Sequence, residues 1–411
     1  MAERFSGEWR SVKLSEIGYT YGGLSGKTKA DFEHGTEKFI TFLNVLNNTV
    51  INIRELATVN VRKDERQNKV KVGDIFFNAS SETPEEVGMC AALLDDPGVC
   101  YLNSFCFGLR ITRRDISPLF LSYYFNSKVG RDFMRIFAQG STRYNMSKTK
   151  FMQQSITIPP LDEQIAIAET LSAFDLHLAN LSELIAKHEG IRAGALEDLS
   201  SGRTRLPGFS GEWRTVKLGE LCTITSSKRV FESEWQKFGI PFLRTRDIAS
   251  FHTGEERKDK LFISEETYRE KVAVSGELRK GDVLVTGVGT IGLPFVVETD
   301  ERMYFKDGNI LWVKRSNQIV PKFLYYLFLY KDIKTQIKTF SGATTVVTLT
   351  IQNAKKLSLR LPPVDEQIAI AETLSALDLN ISNLKAEHAK ISALRTAAIN
   401  DLLTAKIRLP C

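Results

Sequence analysis

Cysteine, histidine and long apolar runs are all scarce in this chain of 411 residues. The five cysteines form no Cys-x-x-Cys pair, so no zinc or redox motif is present. The five histidines are too scattered to suggest a metal site. No apolar run approaches the roughly 18 residues that a membrane span needs, and the N-terminus carries no apolar signal core. These absences argue against a metalloprotein, a disulfide-rich secreted protein and a membrane protein, and they favour the reducing cytoplasm.

Proline is also missing from two long stretches, 161–206 and 364–409. Each stretch follows a Pro-Pro pair and opens close to Asp-Glu-Gln, and residues 159–176 and 362–379 are identical at all but two positions. Proline in the first turn and acidic residues beside it are typical of a helix N-terminus. The duplication therefore predicts two helices of about 40 residues, each roughly 60 Å long.

Apolar residues in these stretches recur at alternating steps of four and three, the spacing of a coiled-coil seam. The seam residues are Ile167, Leu171, Phe174, Leu178, Leu181 and Ile185 in the first copy, and Ile370, Leu374, Leu377, Ile381, Leu384 and Ile391 in the second. Two such seams in one chain can cover each other, most simply as an antiparallel pair. The alternative is two ordinary helices, each packed on its own domain.

Charge is divided unevenly along the chain. Residues 161–199 carry a net charge of −6 and residues 363–406 carry −2, so the chain total of +6 leaves +14 for everything else. A basic excess outside the helices indicates polyanion binding there. The alternative is a lysine-rich surface that is simply solvated.

A second repeat marks the domain starts, because residues 5–14 match residues 209–218 at nine of ten positions. Short β-rich runs bounded by Gly, Asn and Asp follow each start. The predicted fold class is α+β, with two β-rich mixed domains separated by two long antiparallel coiled-coil helices in a quasi-twofold internal repeat. Residues 200–208 are the predicted linker between the halves. The predicted boundaries are 1–158 for the first domain, 159–203 for the first long helix, 204–361 for the second domain and 362–411 for the second long helix.

Local patterns within the two domains correspond in outline. Lys71-Val-Gly-Asp74 and Lys280-Gly-Asp282 predict turns that each feed a strand, and residues 120–125 and 323–328 predict helices. Gly287-Val-Gly-Thr-Ile-Gly292 fits a dinucleotide fingerprint, but Pro294 and β-branched residues follow it where a helix would be needed. We therefore predict a β-hairpin turn at this motif.

Two further motifs are incomplete. Residues 22–28 resemble a phosphate loop that is one residue too short, and an exposed loop carrying Lys27 and Lys29 toward DNA phosphate is the better interpretation. Asp247 with residues 256–258 loosely resembles the metal-binding trio of a nuclease, but no partner carboxylate is evident. No convincing nucleophile and base are found together.

The candidate DNA contacts are basic or amide-bearing residues in loops. Arg and Lys bind phosphates and guanine edges, Asn reads adenine, and Thr can reach a base or a phosphate. In the first half they are Lys27, Lys29, Arg62, Lys63, Arg66, Arg143, Tyr144, Asn145 and Lys148. In the second half they are Lys228, Arg229, Arg244, Arg246, Arg257, Lys258, Thr344 and Thr345. For any single residue, solvated surface is the alternative, and the hypothesis depends on the clusters.

The whole sequence resembles the specificity subunit of a type I restriction–modification enzyme. The resemblance depends on the two Pro-Pro-x-Asp-Glu-Gln starts, the paired Glu-Trp-x-x-Val-x-Leu starts, the Gly-Asp turns with Gly-Thr-Ile-Gly at 289–292, and Ser-Gly-Ala-Thr-Thr at 341–345. The first domain departs from the pattern: Gly140–Asn145 replaces the usual Gly/Ala-Thr-Thr, and no Gly-Thr-Ile-Gly follows its Gly-Asp turn.

The resemblance implies two target-recognition domains, each reading one half of a bipartite site in double-stranded DNA. It also implies two helices that pair as a spacer and dock two methyltransferase subunits, within a complex that includes restriction/translocase subunits. No cofactor is expected on this chain, since S-adenosylmethionine, ATP and Mg would belong to the partner subunits. The expected role is a non-catalytic subunit in the cytoplasm.

The helices carry more apolar and acidic surface than a two-helix seam uses. The surplus apolar residues are Leu184, Ile191, Leu199, Leu394 and Leu402. The residues predicted to bind a methyltransferase subunit are Glu163, Gln164, Leu184, Glu366 and Gln367. The two half-sites are expected to differ in sequence, and an insertion at residues 200–202 is expected to lengthen the spacer between them.

Two competing functions come from other classes. One is a nuclease or nucleotide-dependent DNA enzyme, for which the incomplete motifs are the only support. The other is a coiled-coil adaptor unrelated to DNA, against which the basic balance outside the helices argues.

Overall fold

The two long helices run Leu161–Ser201 and Val364–Leu402 and contain 41 and 39 residues, which confirms the prediction from the Pro-Pro starts. This computed structural model describes residues 5, 7–83, 85–136, 138–139, 144–253, 259–340 and 348–410. The chain divides into two units at points inside these helices. The first unit is Met1–Ser182 with Ala386–Cys411, and the second is Glu183–Lys385.

The first unit holds twelve strands and six shorter helices of the described chain, with parts of both long helices. Its strands are β1 (Arg10–Lys13), β2 (Gly18–Gly22), β3 (Glu37–Ile40), β4 (Ala57–Val59), β5 (Ile75–Asn78), β6 (Ser80–Ser81), β7 (Cys90–Ala92), β8 (Cys100–Leu102), β9 (Cys106–Ile111), β10 (Ala138–Gln139), β11 (Tyr144–Met146) and β12 (Ser155–Ile158). Its helices are α1 (Leu14–Ile17), α2 (Lys29–Glu33), α3 (Phe42–Asn47), α4 (Pro118–Asn126), α5 (Lys128–Arg135), α6 (Lys148–Met152) and the first part of α7 (Leu161–Ser201).

The second unit has strands and helices that correspond to those of the first. Its strands are β13 (Arg214–Lys217), β14 (Ile224–Thr225), β15 (Trp235–Gln236), β16 (Ile240–Leu243), β17 (Phe262–Ile263), β18 (Val283–Thr286), β19 (Pro294–Val296), β20 (Tyr304–Phe305), β21 (Ile310–Val313) and β22 (Ser358–Leu361). Its helices are α8 (Leu218–Leu221), a 3₁₀ turn (Glu232–Glu234), α9 (Thr245–Thr253), α10 (Glu265–Ser275), α11 (Pro321–Leu329), α12 (Lys331–Phe340), α13 (Ile351–Lys355) and part of α14 (Val364–Leu402).

Strand order repeats between the units although their sequences differ. One antiparallel sheet has the order β2-β9-β5-β7 in the first unit and β14-β21-β18-β19 in the second. A second sheet contains one parallel pair, β3 with β8 and β16 with β20 respectively. In each unit the first strand pairs with the strand before the Pro-Pro pair, β1 with β12 and β13 with β22. The chain is therefore a duplicated α+β fold, as its repeats predicted.

The Gly-Asp turns form as predicted and for the same reason in both units. Gly73 and Gly281 have φ of 90° and 94°, a region in which a side chain would be strained. The next residue accepts a backbone hydrogen bond across the turn, Asp74 from Lys71 N at 2.8 Å and Asp282 from Arg279 N at 2.9 Å. Strands β5 and β18 follow at once, and all their residues are buried.

Each unit packs its long helices onto its own domain. In the first unit, Ile167 and Leu171 of α7 join Leu402 and Leu403 in one core with Phe77, Phe107 and Phe125. In the second, Leu196 and Leu199 of α7 join Ile370 and Leu374 of α14. The buried seam residues confirm the predicted stripe, whereas Leu199 and Leu402, predicted as surplus surface, are each only 5% exposed and belong to these cores.

The helices run antiparallel within each unit. In the first unit Asp175 pairs with Arg395, and two residues later His177 faces Glu387 at 3.6 Å. In the second unit Arg192 pairs with Asp378 at 2.9 Å, and Glu189 pairs with Lys385 at 2.6 Å. Each aspartate also accepts a hydrogen bond from its own domain, from Tyr123 at 2.6 Å and Tyr326 at 2.8 Å. One carboxylate thus joins both helices to the domain in each unit.

A buried ion pair closes each unit at the start of a long helix. Glu163 is 1% exposed and accepts two hydrogen bonds from Arg408, at 2.8 and 2.5 Å, while Arg408 also donates to Gly7 O at 2.7 Å. In the second unit Glu366 is 0% exposed and accepts two hydrogen bonds from Arg205, at 2.5 and 2.6 Å. The repeated Arg-Leu-Pro therefore supplies the arginine of what we call the clasp of each unit.

Candidate nucleic-acid interface

An open cleft of about 600 Å³ lies on the domain of the second unit. Its lining mixes cationic, amide, hydroxyl and aromatic groups: Trp235, Arg244, Thr245, Arg246, Ala249, Val288, Gly289, Thr290, Lys306 and Asn309. These residues come from β15, the start of α9, the turn after β18 and the loop between β20 and β21. Donors and acceptors on several loops around one concave surface suit the edges and phosphates of a nucleic acid.

The glycine motif forms one wall of this cleft. Strands β18 and β19 are antiparallel neighbours, with Val283 opposite Val296, which confirms a hairpin turn rather than a dinucleotide fingerprint. A Cβ on Gly287 would lie 2.8 Å from Leu311 Cδ1 and 2.9 Å from Leu349 O. Gly289 and Gly292 have φ of 70° and 77°. Glycine is therefore required for the turn that presents Thr290.

Two of the three cations that line the cleft are at least partly exposed. The Arg246 side chain is 49% exposed and pairs with Asp259 at 2.7 Å. Lys306 is half-buried, and its ammonium lies 5.8 Å from the centre of the Trp235 ring. Asn309 is also half-buried there. Within the described chain, Thr245 Oγ1 and Trp235 Nε1 are buried without a hydrogen-bond partner.

Arg244 was predicted to contact DNA, but unlike Arg246 it is enclosed by its own chain. It is 8% exposed, and its guanidinium donates to Asp247 at 2.9 and 3.1 Å and to Asp259 O at 2.8 Å. Arg244 therefore holds the start of α9 in place instead of reaching DNA. The same contacts occupy Asp247, which the nuclease interpretation required as a metal ligand.

Two more predicted cations of the second half lie beside the cleft. Lys228 and Arg229 are exposed, and Arg229 faces Asp307 at 3.3 Å. Arg229 and Phe231 line a smaller depression of about 380 Å³ that shares Trp235, Lys306 and Asn309 with the main cleft. Loop 226–232 and the cleft therefore form one continuous polar surface.

In the first unit, two loops bring predicted cations together. Ser25 N donates to Gln67 Oε1 at 3.1 Å, so the loop before α2 lies against the loop after β4. Lys29, the first residue of α2, is exposed, and so are Arg62, Lys63 and Arg66 of the second loop. Arg62 faces Glu65 at 3.1 Å.

Lys27 does not belong to that exposed group. Its side chain is 4% exposed and is enclosed in an ion pair with Glu65, and it donates to Asn60 O at 2.6 Å. The prediction that Lys27 faces DNA phosphate therefore needs correction, because this ammonium joins the two loops.

The remaining first-half candidates that the structure describes lie in β11 and at the start of α6. Tyr144 is half-buried at the edge of the core, whereas Asn145 and Lys148 are exposed. Lys148 Nζ lies 5.9 Å from the centre of the Phe107 ring. Arg143, Arg257, Lys258, Thr344 and Thr345 lie outside the described residues.

The four polar residues predicted to bind a partner are enclosed by their own chain. Glu163 and Glu366 belong to the clasps. Gln164, 0% exposed, accepts from Ser117 N at 2.9 Å and donates to Pro159 O at 2.9 Å. Gln367, 1% exposed, accepts from Val320 N at 2.9 Å and donates to Pro362 O at 3.0 Å. These contacts correct the prediction, since the Glu-Gln pair attaches each helix to its domain. Leu184, 38% exposed, stays a candidate for partner binding.

The buried cysteines are poorly suited to act as nucleophiles. Burial raises the pKa of the Cys90 thiol to about 12 and of the Cys222 thiol to about 11, so both are protonated at neutral pH. No group of three or more His, Cys, Asp or Glu that could hold a metal is found in the described chain. Among its helices, none is both long and apolar enough to cross a membrane.

The sequence reasoning missed Trp235, Thr290, Lys306 and Asn309. Lys306 and Asn309 flank Asp-Gly, a turn signal that places both at a loop tip. Thr290 lies within the glycine motif, which was considered as a dinucleotide fingerprint and as a hairpin turn but not as a source of DNA contacts. Trp235 carried no signal that separates it from a core aromatic residue.

A model of the type I restriction modification DNA specificity domain matches residues 6–187 and 210–393. The chain belongs to this family. As a type I specificity subunit, it is not an enzyme, and its family role is recognition of a DNA target within a restriction–modification system.

Curated relatives of this specificity subunit include two putative type I specificity subunits. One, from Haemophilus influenzae, is 29% identical over 248 residues, which are 59% of this chain and 60% of the relative. The other, the MjaX specificity subunit of Methanocaldococcus jannaschii, is 24% identical over 389 residues, which are 90% of this chain and 87% of the relative.

Solved structures support the same fold. The S subunit from M. genitalium aligns with a TM-score of 0.55 at 17% identity, covering 98% of this chain and 99% of that chain. A chain from a study of type I complex assembly and conformational transition aligns with a TM-score of 0.56 at 17% identity, covering 97% and 99%.

Proposed function

We propose that this specificity subunit reads a bipartite, asymmetric target in double-stranded DNA, one half-site per domain. The observation that carries the proposal is the contrast between repeated and divergent parts. Strand order, Gly-Asp turns and clasps recur in both units, whereas the exposed basic loops do not. Different loops present different donors and acceptors, so each domain selects its own half-site.

The methylome of the source organism tests this proposal. The expected result is one methylated bipartite motif with two different half-sites, which disappears when this gene is deleted. Exchanging residues 1–155 for those of another family member should change one half-site and keep the other. A motif unaffected by deletion, or two half-sites that change together, would contradict the proposal.

We also propose that the long helices carry two methyltransferase subunits, which in turn bring the restriction/translocase subunits. S-adenosylmethionine, ATP and Mg would then bind to those partner subunits. The exposed apolar residues of the helices support two copies of one partner. Ile165 and Leu176 are 40% and 64% exposed, and their counterparts Ile368 and Leu379 are 43% and 63% exposed. An 11-residue spacing places each pair on one helix face, so each unit offers the same apolar face.

An arginine substitution on either apolar helix face should prevent one methyltransferase subunit from binding. Leu176→Arg and Leu379→Arg should each leave one bound copy, and the double variant none, because a buried unpaired charge is costly at an apolar interface. Native mass spectrometry of the co-expressed complex measures the copy number. Leu43→Arg, at a position 62% exposed in α3, is the matched control. Retention of two copies by the double variant would refute this docking surface.

The spacing of the half-sites is proposed to follow helix length. An insertion at residues 200–202 is unsuitable, because Ser200 is 2% exposed and the Cβ position of Gly202 lies 3.2 Å from the Trp213 ring. Seven residues inserted after both Ser182 and Lys385 preserve the seam, since seven is the heptad period. They add roughly 10 Å of helix, about three base pairs. A methylated motif with the same half-sites and a longer spacer is expected, and an unchanged spacer would refute this role.

A further inference from the structure

A groove of about 470 Å³ in the second unit lies between α7 and α12. Its floor is partly apolar, with Ala193 and Leu196 from α7 and Leu329 from the end of α11. Its rim is cationic, with Arg192 on one side and Lys331, Lys334 and Lys338 on the other. These residues are separate from the cleft with Trp235 and Asn309, and neither DNA recognition nor the apolar helix faces account for them.

The three lysines lie on one face of α12, at steps of three and four. All are exposed, and within the described chain none forms an ion pair. Arg192 is held by Asp378 at 2.9 Å, and Glu197 in the groove faces Arg203 at 3.4 Å. The carboxylate of α12, Asp332, accepts from Gln336 Nε2 at 2.9 Å and forms no ion pair with these lysines.

The first unit has basic residues at the same repeat positions, but it neutralises or encloses them. Lys128, the counterpart of Lys331, pairs with Asp132 at 2.8 Å. Arg131 is half-buried and donates to Glu85 O and Val87 O at 2.7 and 2.6 Å. Arg135 lies 3.6 Å from Asp132. The counterpart of Asp132 is Thr335, so α12 lacks that carboxylate.

The mixture of an apolar floor and a lysine rim favours a protein ligand over DNA. Phosphates would use the lysines but gain nothing from the leucines, whereas an amphipathic segment with carboxylates on one edge uses both. Charge complementarity of this kind speeds encounter and selects the partner.

We propose that this groove binds an acidic amphipathic segment of the methyltransferase subunit, and that the second unit therefore takes up its methyltransferase before the first. The proposal builds on the methyltransferase docking proposed above. The two apolar helix faces are alike, but within the described chain the basic residues at these repeat positions are paired or enclosed in the first unit and unpaired in the second. Assembly is therefore stepwise, with a tighter first step whose affinity falls as salt is raised.

Charge reversal at matched repeat positions tests the proposal. Lys331→Glu/Lys338→Glu in the second unit and Lys128→Glu/Arg135→Glu in the first are introduced into the full chain. Mass photometry with purified methyltransferase then measures both binding steps at about 50 and 200 mM salt. The wild type should show two affinities at least about tenfold apart. The second-unit variant should lose the tighter step and the first-unit variant should keep it. Both variants are expected to fold, because all four side chains are exposed. Thermal unfolding measures whether they do.

Four results would overturn the proposal. Equal affinities for the two steps in the wild type refute the preference for the second unit while leaving DNA recognition and docking intact. An unchanged tight step in the second-unit variant refutes the groove as its cause. A second-unit variant that keeps the methyltransferase but binds duplex DNA more weakly, with a smaller salt slope, assigns the lysines to phosphate. A wild type that binds no methyltransferase refutes the docking proposal itself.

Discussion

Arg408→Ala is expected to destabilise the first unit by about 3–5 kcal/mol, the usual effect of leaving a buried charge without its partner. Glu163, which is 1% exposed in the intact chain, would lose both hydrogen bonds from Arg408. For a unit of this size the loss corresponds to a fall of about 10 °C in melting temperature. Differential scanning calorimetry at neutral pH measures it.

A neighbouring exposed pair provides the control. Lys406 is 73% exposed and pairs with Asp401 at 2.9 Å, so Lys406→Ala should change stability by less than about 1 kcal/mol. Adding Glu163→Gln to Arg408→Ala should recover part of the loss, because it removes the unpaired charge. Equal effects of Arg408→Ala and Lys406→Ala would show that the clasp contributes no more than a surface ion pair. Arg205→Ala should destabilise the second unit in the same direction.

The second large effect is expected in the cleft of the second unit. Arg246→Ala and Lys306→Ala should each weaken binding to all sequences and lower the slope of log K against log salt by about one, if each cation contacts a phosphate. Asn309→Ala should instead relax the choice of base at one position, at a cost of about 1–3 kcal/mol in discrimination. Fluorescence anisotropy with the methylated motif and single-base variants of it separates the two outcomes.

Lys280→Ala is the control for the cleft, because Lys280 is exposed on the Gly-Asp turn and does not line the cleft. The expected changes should be confined to the half-site read by the second unit. If Asn309→Ala lowers affinity equally for every variant site, Asn309 does not read a base. If none of the three cleft variants differs from Lys280→Ala, DNA binds elsewhere on this domain.

Much of the fold could be predicted because repetition removes ambiguity. The two Pro-Pro starts predicted the long helices, and the Gly-Asp turns predicted β5 and β18, since proline and glycine act through local backbone geometry. The same logic rejected the dinucleotide fingerprint at residues 287–292. Antiparallel packing within each unit also followed from the seam.

The candidate site was predicted less well, because exposure and pairing depend on residues distant in sequence. Lys27 and Arg244 were predicted to be cations available to DNA. In the structure they form ion pairs with Glu65 and Asp247. Glu163 and Gln164 were predicted to bind a partner because the helices carry acidic surface beyond the seam, but both make contacts within their own chain. Lys306 and Asn309 gained their importance only when folding brought their loop beside α9.

The first unit is built from two separate segments of the chain, and this has a consequence for biosynthesis. The second unit is one continuous stretch, whereas the core of the first needs Leu402 and Leu403 from the last part of the chain. A ribosome making about 5–20 residues per second needs roughly 10–40 s to pass from Ser182 to Ala386. During that time the apolar groups that will meet those leucines stay uncovered. The domain translated first is therefore completed last, and a premature stop codon late in the gene damages the first domain while sparing the second.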